Sequence, residues 1–329
     1  MPRKNRNVLG KIIGAVIVGA LALALPVASG TTPAVADTTG SAIFPGGIFN
    51  EADTDAADAV DQLTAEGDTA SAALIEQIAS QPTAIWLGDW FTGDFLTRVI
   101  GRYVAAAKAQ GTTLVFVTYA IPDRDCGGYS AGGLTNSEYL DWNRTIANAL
   151  VGTKAVVLIE PDSLSMLSSA KCAGLASTRL PLIRGAVDIL KAAGLTTYLD
   201  GGNSRWLTPD QQASWLNQAG IANAQGFFTN VSNFNPTQAE RDYAGKLSSR
   251  VGWKHFVIDV SRNGNGWTGT WCNPTGAALG TNPQVITDGS KLDALLWVKH
   301  PGLSDGTCNG GPAAGAWYES YALDLARNR

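Results

Sequence analysis

Histidine is scarce in this chain of 329 residues: His255 and His300 are the only two, and the four cysteines stand far apart. No Cys/His group has metal-ligand spacing, so neither a metal nor any other cofactor is expected. Positive charge is also short. Of 24 Lys and Arg residues, four (Arg3, Lys4, Arg6, Lys11) fall within the first 36 positions, which contain no acid; the remainder carries 20 basic residues against 28 acidic ones. A net charge of −8 there excludes nucleic acid as a natural partner. No Pro/Thr/Ser-rich linker follows residue 40, and composition does not change along the chain, so a second domain is not expected.

What is present begins with "MPRKNRNVLGKIIGAVIVGALALALPVASGTTPAVA", a basic start, an apolar run from Ile12 and the small residues Ala34 and Ala36 before Asp37. This reads as a secretory signal peptide over 1–36. A retained membrane anchor fits less well, because Pro26 breaks the run and a polar Thr/Gly/Ser stretch follows. The expectation is a secreted, extracellular monomer, free of the membrane once the leader is removed, with one catalytic domain over 37–329. An even cysteine count in an exported chain implies two disulfides, in any of three pairings.

Seven short apolar runs recur, at 83–90, 113–120, 155–160, 196–200, 226–234, 255–261 and 294–299, separated by amphipathic stretches. Thr135 and Glu138 have capping-box spacing, and Gly111 and Gly194 mark helix ends. Near-continuous apolar strands alternating with helices predict an α/β fold with a parallel sheet covered on both faces. About seven such units favour a β/α barrel over an open sheet. Asp89, Asp125, Asp162, Asp200, Asn230, Asn233, Asp259 and Asp305 lie at or just beyond strand ends, which converge on one rim in a barrel. Trp86, Trp90, Trp206, Trp267, Trp271 and Trp297 lie nearby. Carboxylates able to give and take protons, set beside indoles that stack on sugar rings, suit cleavage of a glycosidic bond. One competing motif is Gly128-Tyr129-Ser130-Ala131-Gly132, a G-x-S-x-G match with Asp259 and His300 downstream in serine-hydrolase order. Ser130 comes about ten residues too late for the strand-to-helix elbow that this chemistry needs.

"VTYAIPDRDCGGYSAGG" and "VVLIEPDSLS" resemble the two signature segments of glycoside hydrolase family 6, the inverting cellulases. "YLDGGNSRWL", "TNVSNF", "VIDVSRNGNG", "WCNP" and "WVKHPGLSDG" resemble further family segments in the same order, from about Ile43 onward. The resemblance implies a distorted, TIM-like β/α barrel that hydrolyses β-1,4-glucan (cellulose or cello-oligosaccharides). It assigns Asp162 as general acid, Asp125 as the neighbour that keeps this acid protonated and helps activate water, and Asp305 as candidate base. It assigns Asp200, Tyr119, Trp86, Trp206, Trp271 and Lys299 to substrate binding, with Asn230 and Ser130 completing that set, and it pairs Cys126 with Cys172 and Cys272 with Cys308. Two positions depart from the pattern. Asn203 stands where the family has His, and Leu303 where it has Glu; both changes imply weaker or altered sugar binding. Short segments at 172–180 and 301–310 imply an open cleft and endo action. The rival readings are a cellobiohydrolase, a weakly active glucan-binding relative and, more distantly, a serine esterase using Ser130.

Overall fold

Runs of Val, Ile, Leu and Phe form the strands because these residues pack on both faces of a pleated sheet. The computed structural model describes residues 39–329, so the leader lies outside the described residues. Its strands are β1 (Ile85–Gly88), β2 (Val115–Tyr119), β3 (Val156–Ile159), β4 (Thr196–Asp200), β5 (Gly226–Thr229), β6 (His255–Asp259), β7 (Gln284–Val285) and β8 (Leu292–Leu296). They form one sheet in the order β1-β2-β3-β4-β5-β6-β8-β7. All pairings are parallel except the short β7, which runs antiparallel along β8. The seven strands read from the sequence are all present; β7, two residues long, has too little pattern to be read.

Alternate residues serve two cores. Val115, Val117, Val156 and Leu158 point inward and pack with Tyr198, Phe228, Val257 and Leu296. Phe116, Val157 and Ile159 point outward, against the helices. The sheet curls until its first and last parallel strands approach. There the Ala84 N–H donates to the Trp297 carbonyl (3.0 Å), the Trp86 indole to the Val298 carbonyl (2.8 Å), and His300 Nε2 lies 2.6 Å from the Ala84 carbonyl. This seam, in place of a β1–β8 ladder, makes the barrel distorted.

The helices return the chain to the starting end, so every parallel strand points its C-terminus at the same rim. The helix Asn136–Leu150 opens on the Thr135–Glu138 capping box, and Pro209–Gln218 on a second one formed by Thr208 and Gln211. The helix Gly93–Gln110 stops at Gly111, whose φ of 71° suits a residue without a side chain. Trp297 is core: it is buried, with its indole on the Thr281 carbonyl. Asn143 and Asn230, which fit glycosylation sequons, are fully buried and hydrogen-bonded inside the fold.

Candidate active site

Acids close most of the strand ends by accepting amides from neighbouring segments. Past β1, Asp89 takes the Gly133 N–H (2.8 Å) and the Arg124 guanidinium (2.7 Å). Past β3, Glu160 takes the Ala120 N–H on both oxygens (3.1 and 3.0 Å) and the Ile121 N–H (3.0 Å). At the end of β4, Asp200 takes the Leu164 and Ser165 amides on one oxygen (3.0 and 3.1 Å) and Gly202 on the other (2.9 Å). At the end of β6, Asp259 accepts from Lys299 (3.0 Å), Ser261 (2.9 Å), Val298 and Ser232 (both 3.3 Å). Backbone groups leaving a ladder need partners, and these carboxylates supply them. Burial raises the pKa of Glu160, Asp200 and Asp259, and the amide bonds offset only part of that.

Asp162 is different. Its side chain makes no hydrogen bond among the described residues, and it is only half-buried. Its backbone is left-handed (φ 68°), as is that of Glu160 (φ 52°), so the turn aims this carboxyl away from the strand. The Asp200 bonds to Leu164 and Ser165 hold the same turn from behind. Burial first, then the negative charges of Asp200, Asp125 and Asp305, hold the Asp162 carboxyl well above the usual carboxylate range. All three acids are thus near enough for their charges to act on Asp162. Tyr119 sits beside it: burial, then the Asp162 charge, push the phenol upward.

Asp125 also has a left-handed backbone (φ 58°) and accepts the Ser130 N–H at 2.8 Å. Arg124 pins this loop by donating to the Ser130 carbonyl (2.8 Å) and the Tyr119 carbonyl (2.6 Å). Buried Arg179 ties it to the Asp162 turn, reaching the Ser163 carbonyl (3.1 Å) and the Asp123 carbonyl (2.8 Å). The disulfide Cys126–Cys172 links the same two loops.

Asp305 is held by cations. Arg262, fully buried, lies 2.8 Å from one oxygen and Lys299 3.3 Å from the other, while the Asn273 N–H donates at 3.0 Å. Burial alone would raise this pKa; Arg262, then Lys299, outweigh it and hold Asp305 below the usual range. The Cys272–Cys308 disulfide fastens the Asn273 and Asp305 loops together. Across the site, the exposed Tyr129 ring lies against Gly306 and has its centroid 6.2 Å from that of Trp271.

The glycosyl hydrolases family 6 model matches residues 47–329, a span that includes Asp125, Asp162 and Asp305. The chain belongs to this family. Endoglucanase A of Cellulomonas fimi is 46% identical over 256 residues, which cover 78% of this chain and 56% of that protein. Endoglucanase 1 of Streptomyces halstedii is 37% identical, covering 79% of this chain and 82% of the relative. Among solved family 6 structures, the endoglucanase Cel6 from Mycobacterium tuberculosis, in complex with methyl-cellobiosyl-4-deoxy-4-thio-β-D-cellobioside, is 38% identical. It superposes with a TM-score of 0.80 over 85% of this chain and 96% of that one.

The remaining family 6 expectations divide by exposure. Trp206 and Trp271 present open ring surface, and Trp86 packs edge-on against Tyr119 at 5.0 Å. Asp200, Asn203 and Asn230, anticipated as substrate contacts, are buried and engaged inside the protein. Asn203 Oδ1 accepts from Arg205 (3.0 Å) and Asn235 (3.1 Å), and the Asn230 amide donates to the Asp259 carbonyl at 2.9 Å. Leu303 lines a small cleft with Thr54, Asp55, Ile78, His300 and Trp317. The esterase reading fails: Asp259 is filled by amides and His300 is turned to the Ala84 carbonyl, so neither serves Ser130. Sequence reading gave no role to Arg124 and Glu160, although both stand out at strand ends, and passed over Arg262 and Arg179. A cation directly after an apolar strand, as in Ser261-Arg262, is the signal that could have found Arg262.

Proposed function

We propose that this chain is a secreted, monomeric endo-β-1,4-glucanase with one catalytic domain, cleaving cellulose or related β-glucans with inversion. The chain spans 56% of the length of the Cellulomonas fimi relative, and the site itself supports the activity. The observation that carries it is the Asp162 carboxyl, which has no hydrogen-bond partner among the described residues and lies within reach of the charges of Asp200, Asp125 and Asp305. A carboxyl whose pKa is raised holds its proton to higher pH and can deliver it to the departing glycosidic oxygen. Water attacks from the opposite face of the sugar. Arg262 and Lys299 hold Asp305 ionised and lower its basicity, which makes it the weaker candidate for the base. Asp125, with one oxygen on the Ser130 amide, is the better group to draw the proton from water. Exposed Trp206 and Trp271 supply stacking surface. The leader and the two disulfides support export. The endo reading is supported by the named endoglucanase relatives.

The test is viscosity loss against reducing-end release on carboxymethylcellulose, for wild type and Asp162→Ala. Steep viscosity loss at few new ends is the expected result for wild type. Cellobiose release with little viscosity change would instead indicate a cellobiohydrolase, a reading that the Tyr129–Gly306 contact across the site keeps open. An Asp162→Ala protein as fast as wild type would end the assignment.

A further inference from the structure

We propose that Trp90 and Phe95 form an accessory ledge that holds the glucan chain beyond the residues assigned above; this rests on the glucanase reading. Both side chains are large, apolar and about half exposed, at 53% and 50%. The Trp90 indole is firmly seated: its ring lies on the backbone of Gly88, where an added Cβ would fall 2.1–2.4 Å from ring carbons. The Arg124 guanidinium lies 5.8 Å from the ring centroid. Phe91 links the pair, with its ring centroid 6.0 Å from that of Trp90 and 5.4 Å from that of Phe95. The Trp142 indole donates to the Phe91 carbonyl at 2.8 Å and fixes the segment.

The ledge is continuous with the site. Trp86 meets Tyr119 at 5.0 Å, Arg124 covers Tyr119 at 4.5 Å, and the same guanidinium reaches Trp90. A run of ring and guanidinium contacts therefore links the tyrosine near Asp162, through buried Arg124, to exposed Trp90. Exposed Arg98 lies over the Phe95 ring, 5.8 Å from its centroid, and exposed Asp94 precedes Phe95 in the chain. Flat apolar rings edged by charged hydrogen-bonding groups match a polymer with apolar ring faces and hydroxyl rims. A second copy of this chain would favour a broader apolar patch without charges among the rings.

The experiment measures retardation in native gels containing hydroxyethylcellulose, using Asp162→Ala protein so that the polymer stays intact. Adding Trp90→Ala and Phe95→Ala is expected to weaken retardation about three- to tenfold, the scale of one lost aromatic contact. In otherwise wild-type protein, the same two changes should slow polymer hydrolysis and change cleavage of a short cello-oligosaccharide far less. Retardation unaffected by the two changes overturns the ledge and leaves the glucanase reading standing. A shift in oligomeric state on light scattering, with retardation intact, overturns it in favour of self-association. If neither wild type nor Asp162→Ala binds any β-glucan and wild type releases no reducing ends, the function itself falls, and the ledge with it.

Discussion

The two ends of the barrel are built by different rules. Among the described residues, ten non-glycine positions have left-handed backbone. Nine of them (Asp123, Asp125, Cys126, Glu160, Asp162, Asn230, Ser232, Asn273, Asn309) lie in the loops after strand ends. Trp253, before β6, is the one at the base. The base instead holds a polar knot: Tyr198 donates to Asp293 at 2.5 Å, His255 Nδ1 lies 2.9 Å from the same carboxylate, and Lys291 approaches His255 at 3.2 Å. Unfavourable backbone persists only where surrounding contacts over-determine it. At the rim those contacts come from Asp89, Glu160, Asp200, Asp259 and two disulfides. The base has pairing with a single left-handed position, Trp253, as expected of an end that mainly stabilises the fold.

Breaking the rim at its bare carboxyl should have the largest effect. Asp162→Ala is expected to lose about 10²–10⁴-fold in hydrolysis, the usual contribution of a general acid, while keeping its melting temperature. Asp162→Asn should be no less stable than wild type at neutral pH. A pKa raised by folding means that the folded state loses stability as pH climbs from the unfolded value through the folded one, and the amide removes that loss. Equal denaturant midpoints across pH for the two proteins would count against a raised Asp162.

Next in size is Arg262→Met, which leaves Asp305 buried without its main partner and should cost about 3–5 kcal/mol. Asp305 has a lowered pKa, so the pair's stabilisation is complete above the unfolded aspartate value of about 3.9 and fades as pH falls through the folded one. Urea titrations of variant and wild type at falling pH should therefore converge. Glu160→Ala strands the Ala120 and Ile121 amides and should cost about 1–3 kcal/mol per lost partner. The smallest effect belongs to the base: Asp293→Asn should lower stability by about 1 kcal/mol and leave the rate of glucan hydrolysis unchanged. A large rate loss there would erase the contrast between the two ends.

Much of this was legible in the residues. Strands announced themselves as β-branched runs, and the helices carried capping boxes and glycine stops, because both signals are local. Acids at strand ends were equally visible. Glu160 and Asp162 are two residues apart and look alike in sequence, yet one is a buried acceptor and the other a free acid. What separates them is a pair of amides 39 and 40 residues away, which no local pattern encodes. The same holds for Asp200 and Asn203, anticipated as sugar contacts and found serving backbone and side-chain partners inside the fold. Arg262 escaped notice because a cation near a strand end is ordinarily a solvated one. Here it is fully buried, matched to a carboxylate 43 positions later.

The central claim, proton donation by Asp162, is tested most directly by varying the leaving group in the Asp162→Ala protein. An unactivated cello-oligosaccharide needs its departing oxygen protonated; an aryl cellobioside with a strongly acidic phenol does not. The account predicts a loss of about 10²–10⁴-fold on the first and a far smaller loss on the second. Equal losses on both would contradict it.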